Sequence, residues 1–330
     1  MTTSLQICSG ESAMGSLIQA GYAPVMSFSQ GFDGPLQDFK TYEEYERAFQ
    51  KFLYEICEEN SEYRILFPVP LFSYRHGPDR SLPISSSEFV KIINEHDEVV
   101  IWLSLCFQEQ LLLAFLIRLF TLYSLPLEKL KIRRIETQII NGKSETMIAV
   151  GMIPPTAMTA AAPPTSLDKS EIELLIKGWA TITSSNPEVM ETYLRLPPTT
   201  RFQEGLKDFR TRLPSPKTGL NRCQTELLEA YPLDQPSINA HYLIGTVMGK
   251  LFEARHRDVM NDLYVQWLLM QMTNLDAPQP AFIISDPYTR VHCVSITDFG
   301  RALLEGKANW MDENLVDYYV GGVHVKNTLP

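Results

Sequence analysis

The pattern of apolar and polar residues predicts an α/β fold in two parts. Residues 1–152 read as a mostly parallel open sheet with helices on both faces, Rossmann-like in layout. Residues 153–166 read as a Pro/Ala-rich linker, and residues 167–330 as a mainly helical, winged-helix-like domain. Three observations carry this reading. Strand and helix patterns alternate through the first half, which implies a parallel sheet covered on both sides. Residues 98–105, EVVIWLSL, form a near-continuous apolar run, the signature of a strand buried on both faces. The segment IPPTAMTAAAPPT sets four prolines among small residues, and helix patterns dominate beyond it.

Taken in order, Leu5–Cys8 is the first predicted strand, 12–20 the first helix and Pro24–Phe28 the second strand. Gly31, Asp33, Gly34 and Pro35 make a turn. Residues 41–58 place Tyr45, Phe49, Phe52, Leu53 and Ile56 at helical spacing. Ser85–Ser87 can cap a helix running to Asn94. Residues 107–123 are a buried helix, because the run LLLAFLIRLF is too short to span a bilayer and contains Arg118. Strands are expected at Lys131–Gln138 and Thr146–Gly151, joined by a turn at Asn141-Gly142.

In the second half, Asp168 and Glu171 make a capping box for a helix to Thr183, and Pro187 sits in the first turn of the next. Further helices are expected over 200–213, from Asn221 with Gln224, and over 238–254 and 256–273. Strands at Ala281–Ser285 and Val291–Ile296 flank Asp286-Pro287. Thr297 caps a short helix ending at Gly306. A closing hairpin, Val316–Val320 with Val323–Val325, turns at Gly321-Gly322. Helices followed by a strand pair suggest the winged-helix-like order.

The composition is ordinary for a globular chain, at 45% hydrophobic and 21% charged. A net charge of −10 argues against a globally basic binder of nucleic acid or of anionic membrane. Arg195–Arg222 is a local basic exception. The five cysteines are widely spaced, without a CxxC pair, and read as free thiols of a reducing compartment. The first residues show no signal-peptide pattern. A cytoplasmic protein with no membrane partner is expected.

In an open parallel sheet, ligands bind beyond the carboxyl ends of the strands. Three predicted strands deliver polar residues there, and the predicted ligand-binding set is Ser9, Gly10, Glu11, Ser12, Ser29, Ser104, Glu109 and Gln110. Backbone N–H groups at the start of the first helix favour an anion, and Gly10 allows close approach. Glu11 opposes a phosphate at the same place. The loop is neither a Walker loop nor a GxGxxG fingerprint. Ser12 as a nucleophile needs a histidine base, and none of the six histidines falls in these loops. Cys106 reads as a buried, inert thiol. Catalytic residues and a cofactor are not indicated, and no metal set is predicted.

Several motifs together resemble the bacterial domain-of-unknown-function family 1835. They are Gly10-Glu11-Ser12 after the first strand, Gly34-Pro35-Leu36, and Trp102 with Glu109-Gln110. The second half is similar to the domain often joined to that family. There the matching residues are Gly219-Leu220-Asn221 before Glu226-Leu227-Leu228, Thr297 to Gly306, and Gly321-Gly322-Val323-His324. The resemblance implies no established activity. It also implies departures at the site. The family's aspartate in the first loop is Glu11 here, the aspartate before Gly-Pro-Leu corresponds to Ser29, and the polar or acidic residues after the Trp strand are replaced by Ser104, Leu105 and Cys106.

Three functions follow from these readings. The first is a ligand-sensing or regulatory protein with a small-molecule, nucleotide-like crevice at the strand edge and a partner-binding C-terminal domain. The second is a hydrolase or transferase acting on a phosphate or acyl ester at Gly10-Glu11-Ser12. The third is a DNA-binding regulator using Arg210, Arg212 and Arg222.

Overall fold

The structure, a computed structural model, describes residues 3–28, 31–59, 71–76, 82–140, 143–197, 200–285 and 292–327. Ser29, the Asn141-Gly142 turn and the Asp286-Pro287 turn lie outside the described residues. The chain is mixed α/β. It opens with β1 (Ser4–Ser9), α1 (Glu11–Gln19), β2 (Val25–Phe28), α2 (Tyr42–Glu59), β3 (Phe72–Arg75), β4 (Leu82–Pro83), α3 (Ser86–Glu95), β5 (Glu98–Leu103), α4 (Phe107–Leu122) and β6 (Leu130–Arg134). A hairpin of β7 (Thr137–Ile140) and β8 (Lys143–Thr146) follows, then α5 (Pro155–Thr159) and β9 (Thr165–Ser166).

The main sheet has seven strands in the order β4–β3–β2–β1–β5–β6–β9. The central four, β2, β1, β5 and β6, are parallel, while β3, β4 and β9 add antiparallel edges. The chain leaves β1 toward β2 and later returns to β1's other side as β5, so the strand order reverses between β1 and β5. Alternation along the strands splits the apolar side chains between two faces. Leu5, Ile7, Val99, Ile101 and Leu103 pack on the face covered by α4, and Cys8, Val100 and Trp102 on the face covered by α1. The Trp102 indole N–H donates to Gln6 Oε1 at 2.8 Å, which makes its burial affordable.

Two expected strands are corrected. Lys131–Gln138 is not one strand: β6 ends at Arg134, and Thr137–Ile140 pairs with Lys143–Thr146 as a separate hairpin. Thr146–Gly151 is not a strand. Met147, Ile148 and Val150 are buried over α1 and β1, and the chain makes a 3-10 turn at Val150–Met152. Their apolar character reflects space filled, not a ladder paired. The segment 153–166 holds α5 and β9, with Ile153 and Met158 buried beside α1 and β9 paired to β6.

Past β9 come α6 (Lys169–Ile182), α7 (Pro187–Leu194), α8 (Arg201–Phe209), α9 (Arg222–Ala230), β10 (Ile238–Asn239), α10 (Ala240–Glu253) and α11 (Asp262–Gln271). The last elements are β11 (Phe282–Ile284), β12 (Cys293–Ile296), α12 (Asp298–Leu304), α13 (Trp310–Glu313), β13 (Asp317–Val320) and β14 (Val323–Lys326). Caps form where the sequence places them: Asp168 accepts from Glu171 N, and Asn221 with Gln224 makes a full capping box. β10, β12 and β11 form a three-stranded antiparallel sheet. The expected helix 256–273 begins late, at Asp262. Arg255 has a left-handed φ of 54°, and residues 256–261 then run past the start of α4, where the Arg257 carbonyl accepts from Phe107 N at 2.7 Å.

Helix α4 organises the molecule. It is buried over nearly its whole length, as its apolar sequence requires. One face lies on the sheet, and α6 and α8 pack on the other. Gly205 of α8 sits so close that an added Cβ would lie 2.4 Å from the Phe107 ring. One apolar cluster therefore runs from Leu5 to Val325 through both halves of the chain.

Candidate functional site at the strand carboxyl edge

The predicted site residues separate into two groups at the β1/β5 reversal. Ser9 and Gly10 are half-buried, and Glu11 and Ser12 are exposed. Gly10 adopts φ 84°, which glycine tolerates without strain, and α1 starts there without a side-chain cap. Glu11 Oε1 accepts from the Ser27 hydroxyl at 2.8 Å. Ser104, Glu109 and Gln110 are buried.

The buried group is closed over by residues 148–152. Ser104 N donates to Glu109 Oε2 at 2.6 Å, and Val150 N donates to Glu109 Oε1 at 2.7 Å. Ser104 Oγ stands 2.9 Å from Glu109 Oε2 and 2.5 Å from the Ile148 carbonyl. Gln110 Nε2 donates to the Ser104 carbonyl at 3.0 Å. Gly151 rests on α1, where a Cβ would lie 3.5 Å from Ser12 Cβ. Burial pushes the Glu109 carboxyl up to about 7, against the hydrogen bonds from Val150 and Ser104 that favour its ionised form. Burial and neighbouring carboxylates also push the Cys8 and Cys106 thiols up, so neither is an activated nucleophile.

The basic residues expected to meet DNA are otherwise engaged. Arg212 is 1% exposed. Its guanidinium bonds Asp258 through Nε at 2.6 Å and Nη2 at 2.8 Å, and Nη2 lies 2.8 Å from Asp33 Oδ1. The rings of Phe209 and Tyr264 flank it at 4.7 and 5.1 Å. The expectation that Arg212 contacts a phosphate backbone is thus corrected: the side chain is buried because two carboxylates and two rings neutralise and cover it. Arg210 pairs with Glu191 at 2.5 Å and Arg222 with Glu226 at 2.8 Å, both partly exposed. Burial raises the Asp33 carboxyl, and the Arg212 charge opposes the shift.

Sequence reasoning missed this Asp33–Arg212–Asp258 cluster. Asp33 read as a turn former, and Asp258 fell within the expected helix. The signal available was Asp33 itself, an acid just past the second strand, on the ligand edge of the sheet.

An open cleft of about 230 Å³ lies beside the buried group, at the carboxyl ends of β5 and β6. Gln110 from the start of α4 and Arg134 from the end of β6 meet Glu171, Tyr193, Arg201 and Phe202 there. Arg134 pairs with Glu171 at 2.5 Å, and Arg201 with Glu136 at 2.6 Å and Glu204 at 2.9 Å. Of the predicted site residues, Gln110 alone lines this cleft. Among the described residues no His/Cys/Asp/Glu group is arranged to hold a metal, and no helix is long and apolar enough to cross a membrane.

No protein-family model matches the chain, and no curated protein matches it.

Proposed function

We propose that the protein is a ligand-binding regulatory protein whose small-molecule site is the cleft between β6, α4, α6 and α8. The observation that carries this is the meeting of Gln110, Arg134, Glu171 and Arg201 over an apolar floor of Leu113, Leu175 and Phe202, at the carboxyl edge of the parallel strands. A floor of that kind with paired charges at the rim suits a compact amphipathic molecule. The volume is below the ~300–1,000 Å³ of drug-sized sites, which favours a metabolite of modest size.

Binding is favoured over ester hydrolysis at Gly10-Glu11-Ser12. Glu109, the acid nearest to a useful pKa, is sealed from that loop's surface, and His96, His256 and His324 hydrogen-bond to Ile92, Asp258 and Asp317. The order α9–β10–α10–α11–β11–β12, with sheet order β10–β12–β11, supports a winged-helix-like reading of that part of the chain. Its third helix, α11, buries Tyr264, Val265, Trp267, Leu268, Leu269 and Met270 and packs against α9, α10 and α2. Such a helix serves the fold and does not lie free to enter a groove, so a protein partner is favoured over DNA. A reducing, cytoplasmic setting is supported by free thiols at Cys8, Cys106, Cys223 and Cys293.

The test is a thermal-shift panel of nucleotides, phosphorylated metabolites and small carboxylates on wild type, Arg134→Gln and Ser12→Ala. A ligand that raises Tm in wild type and Ser12→Ala, and loses its effect in Arg134→Gln, is the expected outcome. A shift removed by Ser12→Ala instead moves the site to the first loop and favours the hydrolase or transferase reading. No shift with any compound overturns the proposal.

A further inference from the structure

The cleft at Gln110 and Arg134 sets both signs of charge over one apolar floor. Leu113, Leu175 and Phe202 are buried beneath it. Arg134 and Arg201 bring two positive charges to its wall, and Asp168 and Glu171 bring two negative ones. These four cancel. Glu136 and Glu204, both held by Arg201, and Arg257, held by Glu204, surround them with one excess negative charge. A phosphate dianion therefore meets no surplus of positive charge here. The two guanidiniums are not equivalent. Arg201 is committed on three nitrogens, Nε and Nη2 to Glu136 at 2.9 and 2.6 Å and Nη1 to Glu204 at 2.9 Å. Arg134 reaches Glu171 through Nη2 at 2.5 Å, while its Nη1 is buried with no acceptor among the described residues. A buried donor without a partner is unfavourable, and a carboxylate oxygen drawn to that side of the guanidinium satisfies it. Asp168 stays ionised. Its Oδ1 accepts from Ser170 Oγ at 2.6 Å and from Glu171 N at 2.8 Å, and these bonds hold the carboxyl below its ordinary range.

We propose that the ligand of this cleft is a zwitterionic α-amino acid with an aliphatic side chain. Its carboxylate meets Arg134, its ammonium meets Asp168 and Glu171, and its side chain lies on Leu113, Leu175 and Phe202. This rests on the cleft being the small-molecule site, and it narrows the ligand to one that carries both charges. A molecule with no net charge adds nothing to a wall whose charges already cancel, yet each of its poles finds an opposite partner. The size agrees. A cavity of about 150 Å³ holds benzene, so about 230 Å³ takes about nine non-hydrogen atoms. Leucine and isoleucine are of that size. The floor has no polar side chain to reward a hydroxyl or an amide, which favours an aliphatic side chain over a polar one.

The test is calorimetric titration of the full chain with leucine, with 3-methylbutylamine, which lacks its carboxylate, with 4-methylpentanoate, which lacks its ammonium, and with inorganic phosphate. Leucine should bind about tenfold tighter, or more, than either analogue, since each analogue loses a charge-assisted contact. Phosphate should bind more weakly than leucine. Arg134→Gln should weaken leucine by about tenfold or more and leave 3-methylbutylamine unchanged. Asp168→Asn, which still caps α6, should weaken leucine and leave 4-methylpentanoate unchanged. Equal affinity for leucine and either analogue, or tighter binding of phosphate, overturns the zwitterion and leaves the cleft as a site for the simpler ion. Leucine affinity unchanged in both variants places leucine elsewhere and overturns the assignment. The analogue series is read on wild type, so it decides the proposal even if a variant does not fold. No heat from leucine up to millimolar concentration also overturns it. The cleft reading falls with it only if no other compound raises Tm through Arg134.

Discussion

Arg212 is a fully buried polar residue on which the two halves of the chain meet. Its charge is paid back by Asp258 and Asp33 and by two ring faces, all out of water. Breaking such a cluster from one side leaves buried carboxylates without a counter-charge. Arg212→Met should therefore lower the unfolding free energy by about 3–5 kcal/mol, read from a urea midpoint. A loss below about 1 kcal/mol would show that water reaches the site. Arg210→Met, at a half-exposed pair, should cost no more than about 1 kcal/mol. The sequence put both arginines in one basic run. Spacing and charge do not distinguish them, because burial of an arginine depends on acids that lie far along the chain.

At the scale of elements, helix crossing decides what a glycine is for. Gly205 lets α8 close on α4, where a Cβ would strike the Phe107 ring at 2.4 Å. Gly205→Ala should destabilise by about 1–3 kcal/mol despite the better helix propensity of alanine. Gly245 of α10 is exposed and has nothing within 4 Å of where a Cβ would lie. Gly245→Ala should stabilise by about 0.5–1 kcal/mol. Thermal unfolding of the two variants should shift in opposite directions, and a shared sign would contradict the crossing. Most of the longer helices were legible, since Ser85, Asp168 with Glu171, and Asn221 with Gln224 mark their starts and satisfy local N–H groups. The edge strands β4 and β9 were not. Two residues hold no period, and their pairing is set by the neighbouring strand.

For the whole molecule, a continuous apolar cluster from Leu5 to Val325 couples the sheet to the helices through α4. Unfolding should therefore be a single transition, with calorimetric and van't Hoff enthalpies equal. Two resolved transitions would mean that the contact between α4 and the helices α6 and α8 adds little. Residues 1–152 alone should aggregate, because that fragment exposes the face of α4 that α6 and α8 cover. Light scattering of the fragment beside the full chain would check this.

The sequence by itself determined the mixed α/β class, the places of the four central strands though not the end of β6, most of the long helices and the burial of α4. Each is written in local period, capping residues or an unbroken apolar run, and these act over a few residues. It also marked the strand carboxyl edge as the place to look. The tertiary structure alone decided what stands there. Residues 148–152 close over Ser104 and Glu109, Arg212 finds Asp33 and Asp258, and the open cleft moves to Gln110 and Arg134. The Glu109–Val150, Arg212–Asp258 and Asp33–Arg212 contacts join groups 41 to 179 positions apart, separations over which loop-closure entropy changes slowly with chain length and sequence spacing loses its meaning. Which polar groups meet is then fixed by how α4 packs, and no local pattern records it.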